Sequence, residues 1–71
     1  MTSNNDIIQF GNKLKVLRKA KRWSQFDLSV ESGIDPSYIS RIERGITDPG
    51  LTKITALARA LGCKIDELIK L

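Results

Sequence analysis

The sequence predicts a single all-α domain of five short helices, and three observations support this fold class. Apolar residues recur three and four positions apart, and no segment shows the strict alternation of a strand. Glycine, proline and helix-capping residues interrupt this pattern at short intervals. With 71 residues, of which 41% are hydrophobic, the chain has the size and composition of one small globular domain.

The first helix is predicted to run from about Asp6, as its N-cap, to about Lys21. Residues 1–5 are polar and are expected to form a flexible N-terminus. Gly11 lies inside the helical pattern, where glycine costs up to about 1 kcal/mol relative to alanine. The apolar stripe of this helix consists of Phe10, Leu14 and Leu17.

The middle of the sequence predicts two short helices, over about 25–32 and about 36–44, joined by a glycine turn. Residues 24–27, SQFD, have the S-x-x-D pattern of a capping box. Gly33 then suits a helix end that requires positive φ. Asp35 is an N-cap candidate, and Pro36 fits the first helical position, where its missing N–H costs nothing.

The third helix has two different faces. Ile39 and Ile42 fall on one side. Its polar and basic side chains fall on the other, and they are Ser37, Ser40, Arg41 and Arg44. A helix, a glycine turn and a second helix of this length form the helix-turn-helix with which proteins read DNA.

The second helix presents Phe26, Leu28 and Val30, of which Leu28 is the clearest core candidate. Trp23, at the joint between the first two helices, has two possible roles. We expect its ring to close one end of the core, since large aromatic side chains dominate burial. Stacking on a sugar or base from the surface is the alternative.

After a proline- and glycine-rich loop, ITDPGL, a fourth helix is predicted from about Leu51 to Leu61. Gly62 would end it, and a fifth helix would span about Ile65 to Lys70, with acids in its first turn. The predicted apolar stripe of the fourth helix consists of Leu51, Ile54, Leu57, Ala58 and Leu61.

Charge and composition restrict the classes of function. The net charge is +4, and residues 13–22 hold six basic residues and no acid. This run favours a polyanionic partner, although a solvated helix face is the alternative. Neither a membrane span nor a signal peptide is recognisable, so a cytoplasmic location is expected.

Metal and nucleophile chemistry find little support in this composition. Cys63 is the only cysteine and the chain has no histidine, which removes the usual disulfide, metal-site and general-base arrangements. Cys63 is expected to pack as a small hydrophobic side chain. We expect no enzyme activity, no cofactor and no small-molecule ligand.

Four segments in order resemble the Cro/cI (Xre-type) helix-turn-helix family of phage repressors and small bacterial regulators. They are LKVLRKAKRWSQ, SGID, YISRIERG and LTKITALARALGCKIDEL, and the likeness covers residues 10–68. YISRIERG is also similar to the controller proteins of restriction–modification systems. The resemblance implies a compact five-helix, lambda-repressor-like DNA-binding domain over residues 6–71.

The resemblance also implies roles for individual residues. Arg41 is implied to read a guanine edge with two hydrogen bonds. Its alternative is a phosphate contact or a surface ion pair, since arginine both reads bases and binds phosphate. Gln25 lies at a helix N-terminus, which favours anions, although it can also be a simple first-turn residue. Glu43 is implied to pair with Arg18, joining the first helix to the third. The implied base-reading residues are Pro36, Ser37, Tyr38 and Arg41, and the implied phosphate-binding residues are Ser24, Gln25, Ser40, Arg44 and Arg18.

The sequence departs from the family pattern at two helix starts. Pro36 removes a base-contacting side chain, so specificity rests on its neighbours in the third helix. Gly50 replaces the serine or threonine that commonly caps the fourth helix, which predicts a weaker cap.

These patterns predict a transcriptional regulator that binds a symmetric double-stranded DNA operator as a homodimer, with half-sites about 34 Å apart. A protein-interaction module of the same fold, such as an antitoxin or anti-repressor partner, is the alternative; basic residues on the third helix argue against a pure protein binder. Apolar residues near the C-terminus either form the dimer contact or close the core. They are Ile65, Ile69 and Leu71.

Overall fold

The computed structural model describes residues 3–69, and this part of the chain forms five helices and no strand. The helices are α1 (Asn4–Ala20), α2 (Gln25–Ser32), α3 (Pro36–Glu43), α4 (Gly50–Leu61) and α5 (Ile65–Ile69). The predicted all-α, five-helix fold is confirmed. None of these helices within residues 3–69 combines the length and the apolar character needed to cross a membrane.

The start of α1 differs from the prediction. Ser3 is the N-cap, and its hydroxyl accepts a hydrogen bond of 3.1 Å from the main-chain N–H of Asp6. The proposed cap at Asp6 is therefore wrong, and two of the residues expected to be flexible, Asn4 and Asn5, are helical. Residues 1–2 lie outside the described part of the chain.

The two central helices begin and end as their capping residues predict. At α2, Ser24 and Asp27 form a reciprocal capping box, and Gly33 ends the helix with φ 77°. At α3, Asp35 is the N-cap and Pro36 follows at the first position. Because φ near 77° is strained for residues with a Cβ, Gly33 suits the turn between α2 and α3.

The fourth helix starts with the weak cap that the sequence predicts, and it corrects one expectation. Its N-cap, Pro49, makes no side-chain cap hydrogen bond, and the main-chain N–H of Gly50 donates to Asp48 Oδ1 of the preceding loop at 3.1 Å. Leu51 is 72% exposed and is not part of the buried stripe, because it lies in the first turn of α4, where no neighbouring helix covers it. Lys70, the predicted end of α5, lies outside the described residues.

The core lies where α3 packs on α1 and α2, with α4 against α2 and α5 closing against α4 and α1. Leu17, Trp23 and Cys63 are partly buried against it, in line with the core interpretation of Trp23. Phe26 and Val30 face away and are exposed. The buried hydrophobic residues are Phe10, Leu14, Leu28, Ile34, Ile39, Ile42, Ile54, Leu57, Ala58, Leu61 and Leu68.

Gly11 explains how α1 comes so close to α3. A Cβ at this position would lie 2.3 Å from the carbonyl oxygen of Ile42 and 3.0 Å from that of Glu43. The backbones therefore approach at a distance that only glycine permits. Glycine lowers the helix propensity of α1, but only glycine at this position allows α3 to pack so closely against α1.

Candidate nucleic-acid interface

The outer face of α3 carries the polar residues that the sequence predicted. Ser37, Arg41 and Arg44 are exposed, whereas Ile39 and Ile42 on the opposite side are fully buried. Pro36 and Ser40, at the borders of this face, are half-buried. An exposed helix face with two arginines, held by a buried apolar face, is suited to enter the major groove of DNA.

The ring of Tyr38 has two cations near it. The ring is partly buried against the core. The Arg41 guanidinium lies 5.2 Å from the ring centroid, and Lys53 Nζ lies 5.4 Å from it. Both distances fit cation–π contacts, which restrict the conformations of the Arg41 and Lys53 side chains.

Lys53 is a candidate that the sequence analysis did not single out. It belongs to α4, and it joins the α3 surface only because α4 packs so that its side chain reaches Tyr38. Nothing in the local sequence around Lys53 signals this neighbour. The structure thus adds a cation to the surface formed by Tyr38, Arg41 and Arg44.

Beneath this surface, Arg18 of α1 and Glu43 of α3 form the ion pair that the resemblance implied. Arg18 Nε donates to Glu43 Oε2 at 2.7 Å, and Nη2 donates to Oε1 at 2.9 Å. Nη1 donates to the carbonyl oxygen of Trp23 at 2.7 Å. The side chains of the pair are only 8% and 3% exposed.

This geometry does not support the phosphate contact expected of Arg18. Every guanidinium nitrogen already donates within the protein, and the side chain is buried. The hydrogen bonds that Arg18 donates to Glu43 raise the pKa of Arg18 above its ordinary value, outweighing the effect of burial. Arg18 therefore acts as a scaffold residue that holds α1, α3 and the Trp23 joint together.

The side chain of Gln25 belongs to the same cluster. Its Nε2 donates to Glu43 Oε1 at 3.1 Å, so a phosphate contact from Gln25 falls to its main-chain N–H. At the start of α2, Ser24 Oγ accepts from the N–H of Asp27 at 3.0 Å, which leaves the Ser24 hydroxyl hydrogen available. The first main-chain amides of α2, at Gln25 and Phe26, precede the helical hydrogen-bond ladder and suit an anion.

Ser37 and Asp35 interact through two hydrogen bonds at the start of α3. Asp35 Oδ1 accepts from the Ser37 main-chain N–H at 2.8 Å and from the Ser37 hydroxyl at 2.6 Å. These contacts, with a smaller effect of the Arg41 charge, lower the pKa of the Asp35 carboxyl. The carboxyl is therefore ionised near neutral pH and can only accept.

The residues proposed for a dimer contact have different environments. Ile65 is partly buried against the core, whereas Ile69 is 40% exposed. Leu71 lies outside the described residues. Of the two that the structure describes, Ile69 is the one whose side chain can meet a partner.

Cys63 and the acidic residues were possible candidates for metal or nucleophile chemistry. No group of three or more histidine, cysteine, aspartate or glutamate side chains suited to a metal ion occurs within residues 3–69. Burial is the main reason why the pKa of the Cys63 thiol is raised, which makes it a weaker nucleophile.

The five packed helices include two, α2 and α3, that are joined by a glycine turn, and α3 has an exposed, cationic face. This arrangement defines the class: a helix-turn-helix protein. The model of the helix-turn-helix family HTH_3 matches residues 14–68. The chain therefore belongs to this family of DNA-binding transcriptional regulators, a family that is not enzymatic in kind.

Individual relatives agree with this assignment. The HTH-type transcriptional regulator y4dL of Sinorhizobium fredii is 45% identical over 53 residues, which are 75% of this chain but only 27% of that protein. Control protein C.MunI of Mycoplasma sp is 41% identical over 66 residues, 90% of this chain and 89% of the relative.

A solved structure is similar to this chain in both fold and sequence. The restriction–modification controller protein C.AhdI from Aeromonas hydrophila superimposes with a TM-score of 0.87 at 42% identity, covering 90% of this chain and 97% of C.AhdI. The resemblance to controller proteins noted in the sequence is thus confirmed.

Proposed function

We propose that this protein is a sequence-specific regulator that binds a symmetric DNA operator as a homodimer, with α3 in the major groove. The observation that carries the proposal is the exposed face of α3, which presents Ser37, Tyr38, Arg41 and Arg44 on a rigid, buried support. Such a regulator acts where it meets DNA, in the cytoplasm.

Base reading is assigned to the centre of this face. Arg41 is exposed and long enough to donate two hydrogen bonds to a guanine edge, the commonest specific contact of arginine in the major groove. The Tyr38 ring beside it limits its conformations. Ser37 and Pro36 border the same surface at the start of α3.

Phosphate binding is assigned to the edges of the surface. Arg44 follows the last residue of α3, and its Nε lies 3.4 Å from the carbonyl oxygen of Ser40. The start of α2 offers the Ser24 hydroxyl and the Gln25 main-chain N–H. Lys53 supplies a further charge from α4. Contacts of this kind set the register of a protein on the duplex without reading sequence.

The homodimer follows from size and symmetry. One α3 helix reads only a few base pairs, and two copies related by a two-fold axis double that number on one face of the duplex. Ile69 is exposed at the end of α5, away from a role in the core. We assign it to the contact between copies.

The first test is selection of bound duplexes from a random library at near-physiological salt, followed by sizing of the complex. We expect a two-fold symmetric sequence that holds two protein copies. Recovery of no motif, with binding that depends only on salt, would overturn sequence-specific recognition.

Two arginines of α3 provide a matched pair of variants for the same selection. Arg41→Ala is expected to relax specificity at one base pair per half-site by about 1–3 kcal/mol. Arg44→Ala is expected to weaken binding to all sequences alike and to reduce the salt dependence. An unchanged motif with Arg41→Ala would contradict its base-reading role.

The exposed Phe26 and Val30 favour a second candidate, a protein-interaction module of the antitoxin or anti-repressor kind. These large apolar side chains lie one turn apart on the outer side of α2 and are 65% and 63% exposed. The same selection separates the two functions, because a protein that acts only through a protein partner recovers no DNA motif.

A further inference from the structure

The Ser37 hydroxyl has only one way to bond to Asp35. Oxygen Oδ1 of an ionised carboxylate has no hydrogen to give, so in the 2.6 Å contact the Ser37 Oγ–H must be the donor. The Ser37 main-chain N–H donates to the same oxygen at 2.8 Å. The serine is thus held on both sides of its Cα by one carboxylate oxygen.

This contact changes what Ser37 offers to DNA. A free serine hydroxyl is both donor and acceptor, and therefore contacts any base. Here the only hydroxyl hydrogen is used inside the protein, while the side chain is exposed and its oxygen lone pairs remain. Ser37 is left as an acceptor.

We propose that Asp35 makes Ser37 an acceptor-only reader, which selects a base carrying an exocyclic amino group, adenine or cytosine, on the strand it contacts. In the major groove, adenine N6 and cytosine N4 donate, whereas guanine O6 and thymine O4 accept. An acceptor therefore pairs with the first two and is repelled by the second two. This inference rests on the proposed function, since it requires α3 in the major groove.

Asp35 is a positioning residue in this arrangement. It orients the hydroxyl of Ser37, and its own negative charge adds to the acceptor character of the site. Its exposed carboxylate also faces the Arg41 charge, so that a donor and an acceptor group lie on the same helix. The start of α3 then favours base amines, and its middle favours guanine.

The test uses the operator recovered by selection and single-atom changes of its bases. Ser37→Ala first identifies the base pair whose preference is lost. At that pair, the exocyclic amine is deleted, by purine in place of adenine or 2-pyrimidinone in place of cytosine. On the opposite strand, the carbonyl is deleted, by 5-methyl-2-pyrimidinone in place of thymine or 2-aminopurine in place of guanine.

We expect amine deletion to weaken binding of the wild-type protein by about threefold to tenfold, the value of one neutral hydrogen bond, after correction by the same deletion with Ser37→Ala. Carbonyl deletion should show no coupling to Ser37. Because the comparison is a double-mutant cycle, changes in duplex stability cancel. Coupling to the carbonyl, or no coupling to either group, would overturn the proposal.

Asp35→Gly tests the orienting role. Glycine is tolerated at an N-cap at little cost, so the helix is expected to be retained. With the carboxylate removed, the Ser37 hydroxyl is free to donate as well as accept, and the coupling to the amine should fall to near onefold while affinity for guanine or thymine at that pair rises. Retention of the wild-type preference would exclude Asp35 from the mechanism. Failure of the wild-type protein to select any sequence would instead reject the proposed function itself.

Discussion

Glu43 illustrates how a residue's surroundings decide its role. A carboxylate on a candidate DNA-binding helix would be repelled by phosphate if it were exposed. Here it accepts from Arg18 and from Gln25, and its side chain is 3% exposed. The charge is neutralised inside the protein, and the acid serves to align three elements.

Removing one partner of this pair is expected to destabilise the protein strongly. Glu43→Ala leaves the Arg18 guanidinium buried and unpaired, which costs about 3–5 kcal/mol. Urea unfolding at neutral pH measures the change. Lys19→Ala, at an exposed position next to Arg18, is the control and should change stability by less than about 0.5 kcal/mol.

The double variant Arg18→Met with Glu43→Leu tests the cause. With both charges gone, no buried charge is left unpaired. The loss of stability is therefore expected to be smaller than the sum of the losses in the single variants Arg18→Met and Glu43→Leu. Additive losses would show that the pair is not coupled.

At the scale of the helices, the close approach of α1 to α3 is expected to make Gly11→Ala destabilising, although helix propensity alone predicts that it stabilises. Gly11→Ala improves the helix propensity of α1 by up to about 1 kcal/mol. The added methyl group, however, would lie 2.3 Å from the Ile42 carbonyl oxygen, which neither backbone can avoid without moving. We expect net destabilisation by about 1–3 kcal/mol, the usual cost of overpacking.

The control for Gly11→Ala is its neighbour in α1. Asn12 is exposed, and Asn12→Ala is expected to stabilise slightly through propensity alone. Thermal unfolding of the two variants gives opposite shifts of Tm if the packing argument holds. Stabilisation by Gly11→Ala would show that α1 and α3 can separate at little cost.

The N-cap of α3 predicts a pH dependence. The Asp35 carboxyl has a pKa below its ordinary value, chiefly because the Ser37 hydroxyl donates to it. A lowered folded-state pKa stabilises the fold at pH values above the unfolded-state pKa, and this contribution is lost as pH falls through the folded-state value. Asp35→Asn lacks the titration, so the stability difference between wild type and variant should shrink on acidification. A constant difference from neutral to acidic pH would contradict the assignment.

At the scale of the whole molecule, association into a dimer is the property that the proposed function requires. Ile69→Glu places a charge at the exposed end of α5 and is expected to shift the protein towards monomer and to weaken operator binding. Sedimentation at several concentrations measures the shift. Val16→Glu, at a 64% exposed apolar position of α1, is the matched control. Equal effects of both variants would exclude a specific contact at Ile69.

Much of this fold was predictable because its signals are local. The capping box, Gly33 and the Asp35–Pro36 pair each determine a helix boundary through short-range hydrogen bonds, and the predicted boundaries follow them. The predictions failed at the start of α1, where Ser3 rather than Asp6 is the cap, and where a choice depended on more distant neighbours. Leu51 fits the apolar period of α4, and only the packing of the helices shows that no helix within residues 3–69 covers it.

The candidate interface likewise has a part that was predictable from the sequence and a part that was not. The outward residues of α3 follow from helical periodicity and from the family resemblance. The contact of Lys53 with Tyr38 and the bond from Gln25 to Glu43 depend on tertiary packing, since they join residues of different helices. The Ser37 hydroxyl bond to Asp35 is local, but its donor and acceptor atoms are apparent only in the structure.

The positions of Trp23 and Tyr38 give this protein two separate intrinsic fluorophores. The chain contains one tryptophan and one tyrosine. Trp23 packs at the joint of α1 and α2, where its carbonyl accepts from Arg18 and Lys21 Nζ lies 5.2 Å from its ring centroid. Tyr38 lies on the α3 surface, with Arg41 and Lys53 near its ring. Emission from the indole is therefore expected to report whether the scaffold is intact, so that one unlabelled sample shows whether a variant that has lost DNA binding is still folded.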